Sequence, residues 1–216
     1  MFDTCNLHAW LETAQNQTEP VCRIVVQWAS LASGVSQHTT AEQSYSSPEH
    51  IIMGIEELCD ACEDGDGDEV QAITASGEVD VNEMFDDSTP LMSAIVWNRP
   101  GIVRILLSHP DTGLDMTDSK GFTCLHWACY HNNAEIIKII GADSRCTPEL
   151  INKKSNGGDS SPMVCVWRVH VEALKEMAKW YECDFGTKDA KGLTLLDVAR
   201  DKSDTEEIIE FLEEIK

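Results

Sequence analysis

The stretch KGFTCLHWACYHNNAEIIKIIGAD, residues 120–143, decides how this chain folds. Thr123 stands where a helix begins, and a hydroxyl there can satisfy amide donors that a first helical turn leaves orphaned. Leu125 is followed by the small residues Ala128 and Cys129, which let two antiparallel helices pack closely. A polar turn comes next, and then AEIIKII brings its apolar residues at helical period. The unit reads as short helix, turn, second helix.

The same pattern recurs along the chain. STPLMSAIVWN (88–98), FTCLHWACYHN (122–132), SSPMVCVWRVH (160–170) and LTLLDVARDKS (193–203) align on Thr89, Thr123, Ser161 and Thr194, spaced 34, 38 and 33 residues apart. A looser copy, EELCDACEDGD, lies 33 residues before the first, with Leu58 and Ala61 in the places of Leu91 and Ala94. After these starts come DEVQAI, GIVRILLSH, AEIIKII, VEALKEMAKW and EEIIEFLEEI, each apolar at helical period. Extended polar pieces join one copy to the next. A period near 33 residues built this way means stacked repeats, each contacting only its neighbours.

The residues in these copies resemble the ankyrin repeat family: a glycine, T-x-L-H, two small residues, a polar turn, E-I-V and G-A-D. The resemblance covers residues ~55–216 in about five repeats. It implies an all-α solenoid of stacked helix-turn-helix pairs with short β-hairpin-like fingers. The repeat domain is expected over 51–216, behind an N-terminal extension over 1–50. In that extension EPVCRIVVQWASLAS reads as an amphipathic helix, and TTAEQSYSSPEH as a Ser/Thr-rich linker. The third repeat is longer by about four residues, in GADSRCTPELINKKSNGGDSSP (141–162), and TPELIN predicts one helical turn with Thr147 as cap and Pro148 first. The fourth reads as one residue short at VWRVHVE. The last helix carries acids on its exposed face, as a terminal cap requires.

Composition bounds the function. The chain has 216 residues, 38 acidic against 16 basic, a net charge of -22 and a pI near 4.5. No lysine or arginine occurs between Arg23 and Arg99. Such a field repels nucleic acid and anionic lipid and favours basic protein surfaces. The run VCRIVVQWASLASGV is too short and too polar to span a bilayer, and the N-terminus does not read as a secretory signal. Nine scattered cysteines read as reduced thiols of a cytoplasmic or nuclear protein.

Two motifs suggest chemistry. EDGDGDE (63–69) looks like a calcium loop, with Asp64, Asp66 and Asp68 as first ligands. Position 6 is Glu69 and position 12 is Ala75, so the sharp turn and the bidentate ligand are missing. In the repeat frame the stretch is an inter-helix turn, Gly65 taking the left-handed residue and Asp66 or Asp68 capping the next helix. Cys59 and Cys62 form a C-x-x-C without a second half, and Cys62 falls at a small-residue place. A metal- or redox-responsive regulator using either motif is the alternative function. His126 fills the family's histidine position, where the ring braces neighbouring repeats. No catalytic motif is present, so the chain reads as non-catalytic and without cofactor.

What remains is surface. The family resemblance puts partner contacts on a concave face built from fingers, exposed first-helix positions and the following turn. Here these are Glu63 and Asp64 of the first repeat; Phe85, Asp86, Ser88, Val96 and Trp97 of the second; and Ser119, Lys120, Phe122, Tyr130 and His131 of the third. Phe85, Trp97, Phe122 and Tyr130 are expected to form one aromatic cluster beside an acidic rim, with Trp127 in the core. The expected function is protein binding by a monomeric scaffold, adaptor or inhibitor whose partner brings a basic segment.

Overall fold

A computed structural model of the chain describes residues 48–180 and 182–215. The expected amphipathic helix at 19–33 and most of the linker lie outside the described residues. The linker's last three residues are helical, because the first helix starts at Pro48.

Five helix pairs follow one another. They are α1 (Pro48–Asp64) with α2 (Gly67–Ser76), α3 (Pro90–Val96) with α4 (Pro100–Ser108), and α5 (Cys124–Tyr130) with α6 (Ala134–Gly141). After a single-turn helix α7 (Pro148–Ile151) come α8 (Ser161–Arg168) with α9 (Val171–Met177), and α10 (Leu195–Arg200) with α11 (Glu206–Glu214). Helices α1, α3, α5, α8 and α10 pack in that order as one layer, and α2, α4, α6 and α9 pack in order as the other. Between the layers lies one continuous apolar core, with Leu58, Leu91, Leu125, Ile137, Met163 and Leu174 fully enclosed. The fingers contribute only isolated antiparallel bridges, Phe85 to Ser88, Lys154 to Ser160 and Lys188 to Thr194.

The turn inside each pair is built one way. The residue before the second helix's N-cap is left-handed in all five: Gly65, Asn98, Asn132, Val169 and Asp204. In the first four, the next N–H then reaches back five residues to the carbonyl of the small residue. These bonds are Asp66 to Ala61 (3.0 Å), Arg99 to Ala94 (2.8 Å), Asn133 to Ala128 (2.9 Å) and His170 to Cys165 (2.8 Å). In the last repeat the Thr205 hydroxyl donates to the Ala199 carbonyl instead, at 2.6 Å. A helix end closed this way satisfies carbonyls that would otherwise be orphaned.

Side chains at the same N-cap position tie one repeat to the one before. Arg99 Nε donates to the Glu63 carbonyl (2.8 Å), Asn133 Nδ2 to the Ile95 carbonyl (2.6 Å), and His170 Nδ1 meets the Cys129 carbonyl (3.0 Å). These are three chemically different side chains in one role.

This geometry corrects the register of the fourth repeat. Its N-cap is Ser160, not Ser161. Counted from Ser160, the left-handed Val169 falls where Asn98 and Asn132 fall from Thr89 and Thr123, so the repeat is not short. The serine pair misleads because either hydroxyl suits the motif. Neither hydroxyl finds a partner in the structure.

The long third repeat is pinned rather than loose. Thr147 caps α7 by accepting from the Leu150 N–H, as its sequence predicts. Arg145, held by the Asp143 carboxylate, donates to the carbonyls of Leu107, His109, Pro110 and Thr112, closing the loop that leaves α4. Gly141 lets the Trp180 ring lie against the backbone, where a Cβ would come within 2.2 Å of it. At the far end, Leu196 is half-buried and lines an apolar cleft of about 310 Å³ with Phe185, Leu212 and Ile215. The terminal repeat therefore keeps an apolar opening beside its acidic helix.

His126 is fully buried and braces the third repeat to the next finger. Its Nδ1 accepts from the Thr123 N–H (3.1 Å), which leaves the proton on Nε2, facing the Asp159 carbonyl at 3.1 Å. Burial pushes its pKa down to about 4, against a weaker upward pull from that carbonyl.

Two outcomes are expected. Val169 is the one β-branched residue among the five left-handed positions, a placement that costs on the order of 1 kcal/mol. Val169→Asn should raise stability by about 1 kcal/mol, read as a Tm increase of roughly 2–4 °C, while Asn98→Val should lower it. The second concerns pH. Unfolded His126 takes up a proton below its ordinary value of 6.5 and the native ring does not until about pH 4. Stability is therefore full above that ordinary value and falls as pH drops through this window, by roughly 2–3 kcal/mol from this group. Urea titrations at stepped pH should show a shallower slope across the window for His126→Gln than for the wild type.

Candidate interaction surface

The fingers stack tip on tip. In the second repeat, Asp86 and Asp87 both have positive φ (48° and 64°) between the bridged Phe85 and Ser88, which makes the tight hairpin turn that short side chains with local acceptors tolerate. Asp87 then accepts the Ser119 N–H (2.8 Å) and hydroxyl (2.5 Å) from the next finger. These two bonds hold its carboxyl below the usual carboxylate range. The third finger passes the contact on, since the Asn156 N–H and amide donate to the Lys120 and Ser119 carbonyls at 2.9 Å each. Ser119 is thus exposed but committed to the stack.

The other expected contact residues fall in two groups. Asp64 and Asp86 are exposed. Glu63 is half-buried, its carbonyl taken by Arg99. Ser88 is half-buried with its hydroxyl 3.2 Å from that of Ser93, and Phe85 packs its ring against the core. Val96 is half-buried, and beside it Trp97 is 53% exposed.

In the third repeat the rings gather. Trp127 is half-buried rather than core, and it makes edge contacts with Phe122 (5.6 Å) and Tyr130 (5.5 Å) and stacks on His131 (5.9 Å). Leu125, Ala128 and Cys129 of the same helix are buried, and Trp127 packs against that core while staying partly open to solvent. Among the described residues no ring contact joins Phe85 or Trp97 to this group, so the expected four-ring cluster is instead Phe122, His126, Trp127, Tyr130 and His131. His131 sits with Nε2 buried and unpaired, and burial, then Arg168 and His170, lower its pKa.

Cations lie over three of the rings. Lys120 Nζ lies 5.6 Å from the Trp127 ring centre, the Arg168 guanidinium 4.4 Å from Tyr130, and Lys202 Nζ 5.1 Å from Trp167. Trp167, Arg168 and Lys202 escape notice in the sequence. With Ser160 as anchor, Trp167 stands where Tyr130 stands one repeat earlier, and the one-residue slip at Ser161 hides the match.

The two chemical motifs serve the fold. Gly65 turns left-handed at φ 83°, and Asp66 caps α2 by accepting the Glu69 N–H at 3.1 Å. Cys59 and Cys62 are both buried on α1; burial pushes the Cys59 thiol up to about 11 and Cys62 higher still. Thiols this reluctant to ionise are poor nucleophiles and poor redox partners at neutral pH. Among the described residues no group of three or more His, Cys, Asp or Glu is placed to hold a metal ion, and no helix is long and apolar enough to cross a membrane.

The family model for ankyrin repeats matches residues 58–149 in three copies. No curated protein matches the chain significantly. The three matched copies are the first three helix pairs, and α8 to α11 continue the same turn and the same stacking beyond the match. Over residues 58–149 the chain is built of ankyrin repeats.

Proposed function

We propose that this protein is a non-catalytic interaction module, a scaffold, adaptor or inhibitor, that binds a partner protein through its fingers and first-helix ends. Ankyrin repeats generally mediate protein–protein interaction. The observation that carries the reading is Trp97, a large apolar ring 53% exposed at the end of α3, two residues before the Arg99 whose Nε bonds the Glu63 carbonyl of the first repeat's acidic turn. Exposed aromatics on fixed scaffolds are favoured anchors, and surrounding charge steers association more than it adds affinity. The partner then carries a basic segment, and the module works as a monomer in the cytoplasm or nucleus.

The buried, unionised thiols and the capping role of Asp66 favour this reading over a metal- or redox-responsive one.

Capture of binding proteins from lysate by the wild type and by a Trp97→Ala/Tyr130→Ala variant tests the reading, once circular dichroism shows equal folding. The expected result is a protein retained by the wild type and lost by the variant, with retention falling as salt is raised from low to physiological strength. An identical set of captured proteins would remove this face from consideration and turn attention to segment 141–162.

A further inference from the structure

Two of the three ring–cation pairs, those that cross from one repeat to the next, share a fixed offset; Lys120 covers Trp127 within its own repeat. The cation of one repeat stands at the first helix's C-cap position, or its equivalent, and covers the ring one position earlier in the preceding repeat. Arg168 covers Tyr130 this way, and Lys202 covers Trp167. Counting from the N-caps Thr89, Thr123, Ser160 and Thr194, the covering position holds Trp97, His131, Arg168 and Lys202.

The second repeat inverts the scheme. Its covering position holds the ring, Trp97, and the matching position of the first repeat holds Glu63 in place of a ring. Among the described residues no lysine or arginine lies over Trp97, the most exposed of the large apolar side chains. Residues 55–98 contain thirteen carboxylates and no basic side chain. The nearest cation in sequence, Arg99, has its Nε on the Glu63 carbonyl and its stem against Gly65. The backbone under the ring is fixed, since the Trp97 N–H donates to the Ser93 carbonyl at 3.0 Å and Asn98 turns left-handed after it.

We infer that Trp97, with Glu63 and Asp64, receives an arginine side chain from the partner protein, the cation this repeat lacks. The guanidinium lies over the indole face, as that of Arg168 lies 4.4 Å from the Tyr130 ring centre, and its charge meets the carboxylates of the first turn. The occupant is arginine because a planar group covers a ring face and presents its N–H fork to carboxylates at the same time. Docking gains a direction along the stack. The basic part of the partner lies on the first two repeats, because Lys120, Arg168 and Lys202 already occupy the rings of the later ones.

The inference rests on the interaction reading above, and a separate experiment isolates it. The full-length protein carries six tryptophans, whose indole N–H signals are resolved by NMR and the Trp97 signal assigned by Trp97→Phe. A blocked glycine–arginine repeat peptide is titrated in, beside a glycine–citrulline peptide of equal length. The expected result is a saturable shift of the Trp97 indole with the arginine peptide, at least fivefold weaker apparent binding with citrulline, and weakening in Glu63→Gln/Asp64→Asn. An unmoved Trp97 signal, equal binding of the citrulline peptide, or a first response at Trp127 or Trp167 would overturn it. Loss of partner capture by the Trp97/Tyr130 variant together with an unresponsive Trp97 indole would leave the binding face standing and sink the arginine reading alone.

Discussion

Everything in this stack hangs on a single left-handed residue per repeat. A first helix of six to eight residues in the later repeats is too short to be stable alone, so its end must be closed by the fold. The left-handed residue turns the chain so that the next N–H returns to the small residue's carbonyl. The small side chain then lets the second helix close over it. Because that turn also fixes the N-cap of the second helix, it aims the Arg99, Asn133 and His170 side chains at the carbonyls of the preceding repeat. One backbone conformation thereby sets pair geometry and repeat spacing together.

A scaffold this regular frees the rest of its surface from structural duty, and the chain uses that freedom unevenly. The first two repeats concentrate acid and leave Trp97 bare. From the third repeat on, Trp127, Tyr130 and Trp167 each lie under a cation, while Asp87, Ser119 and Asn156 stitch successive fingers together. More than half of the chain's net charge of -22 falls in residues 55–98, which carry thirteen carboxylates and no lysine or arginine. A binding face with that polarity discriminates by orientation as well as by contact.

The fold was legible because its determinants are local and repeat. Thr89, Thr123 and Thr194, the small residues that follow them, and the turn at EDGDGDE each report their role through residue type and spacing. The slip at the fourth repeat shows the limit: Ser160 and Ser161 are equivalent as hydroxyls, and only backbone angles distinguish the cap. That slip also hid Trp167 as the counterpart of Tyr130.

The sequence by itself determined the repeat, the layer each helix occupies and the acidic bias of the first half, since periodicity and charge are properties of the chain. Tertiary structure decided what the surface residues do. Trp127 packs against the core from its edge, half-buried among the Phe122, Tyr130 and His131 rings of its own repeat. Ser119 is spent on Asp87 because fingers from different repeats meet at their tips. Trp97 is bare while Tyr130 and Trp167 are covered because the covering cation comes from another repeat, at a distance along the chain that no local pattern encodes.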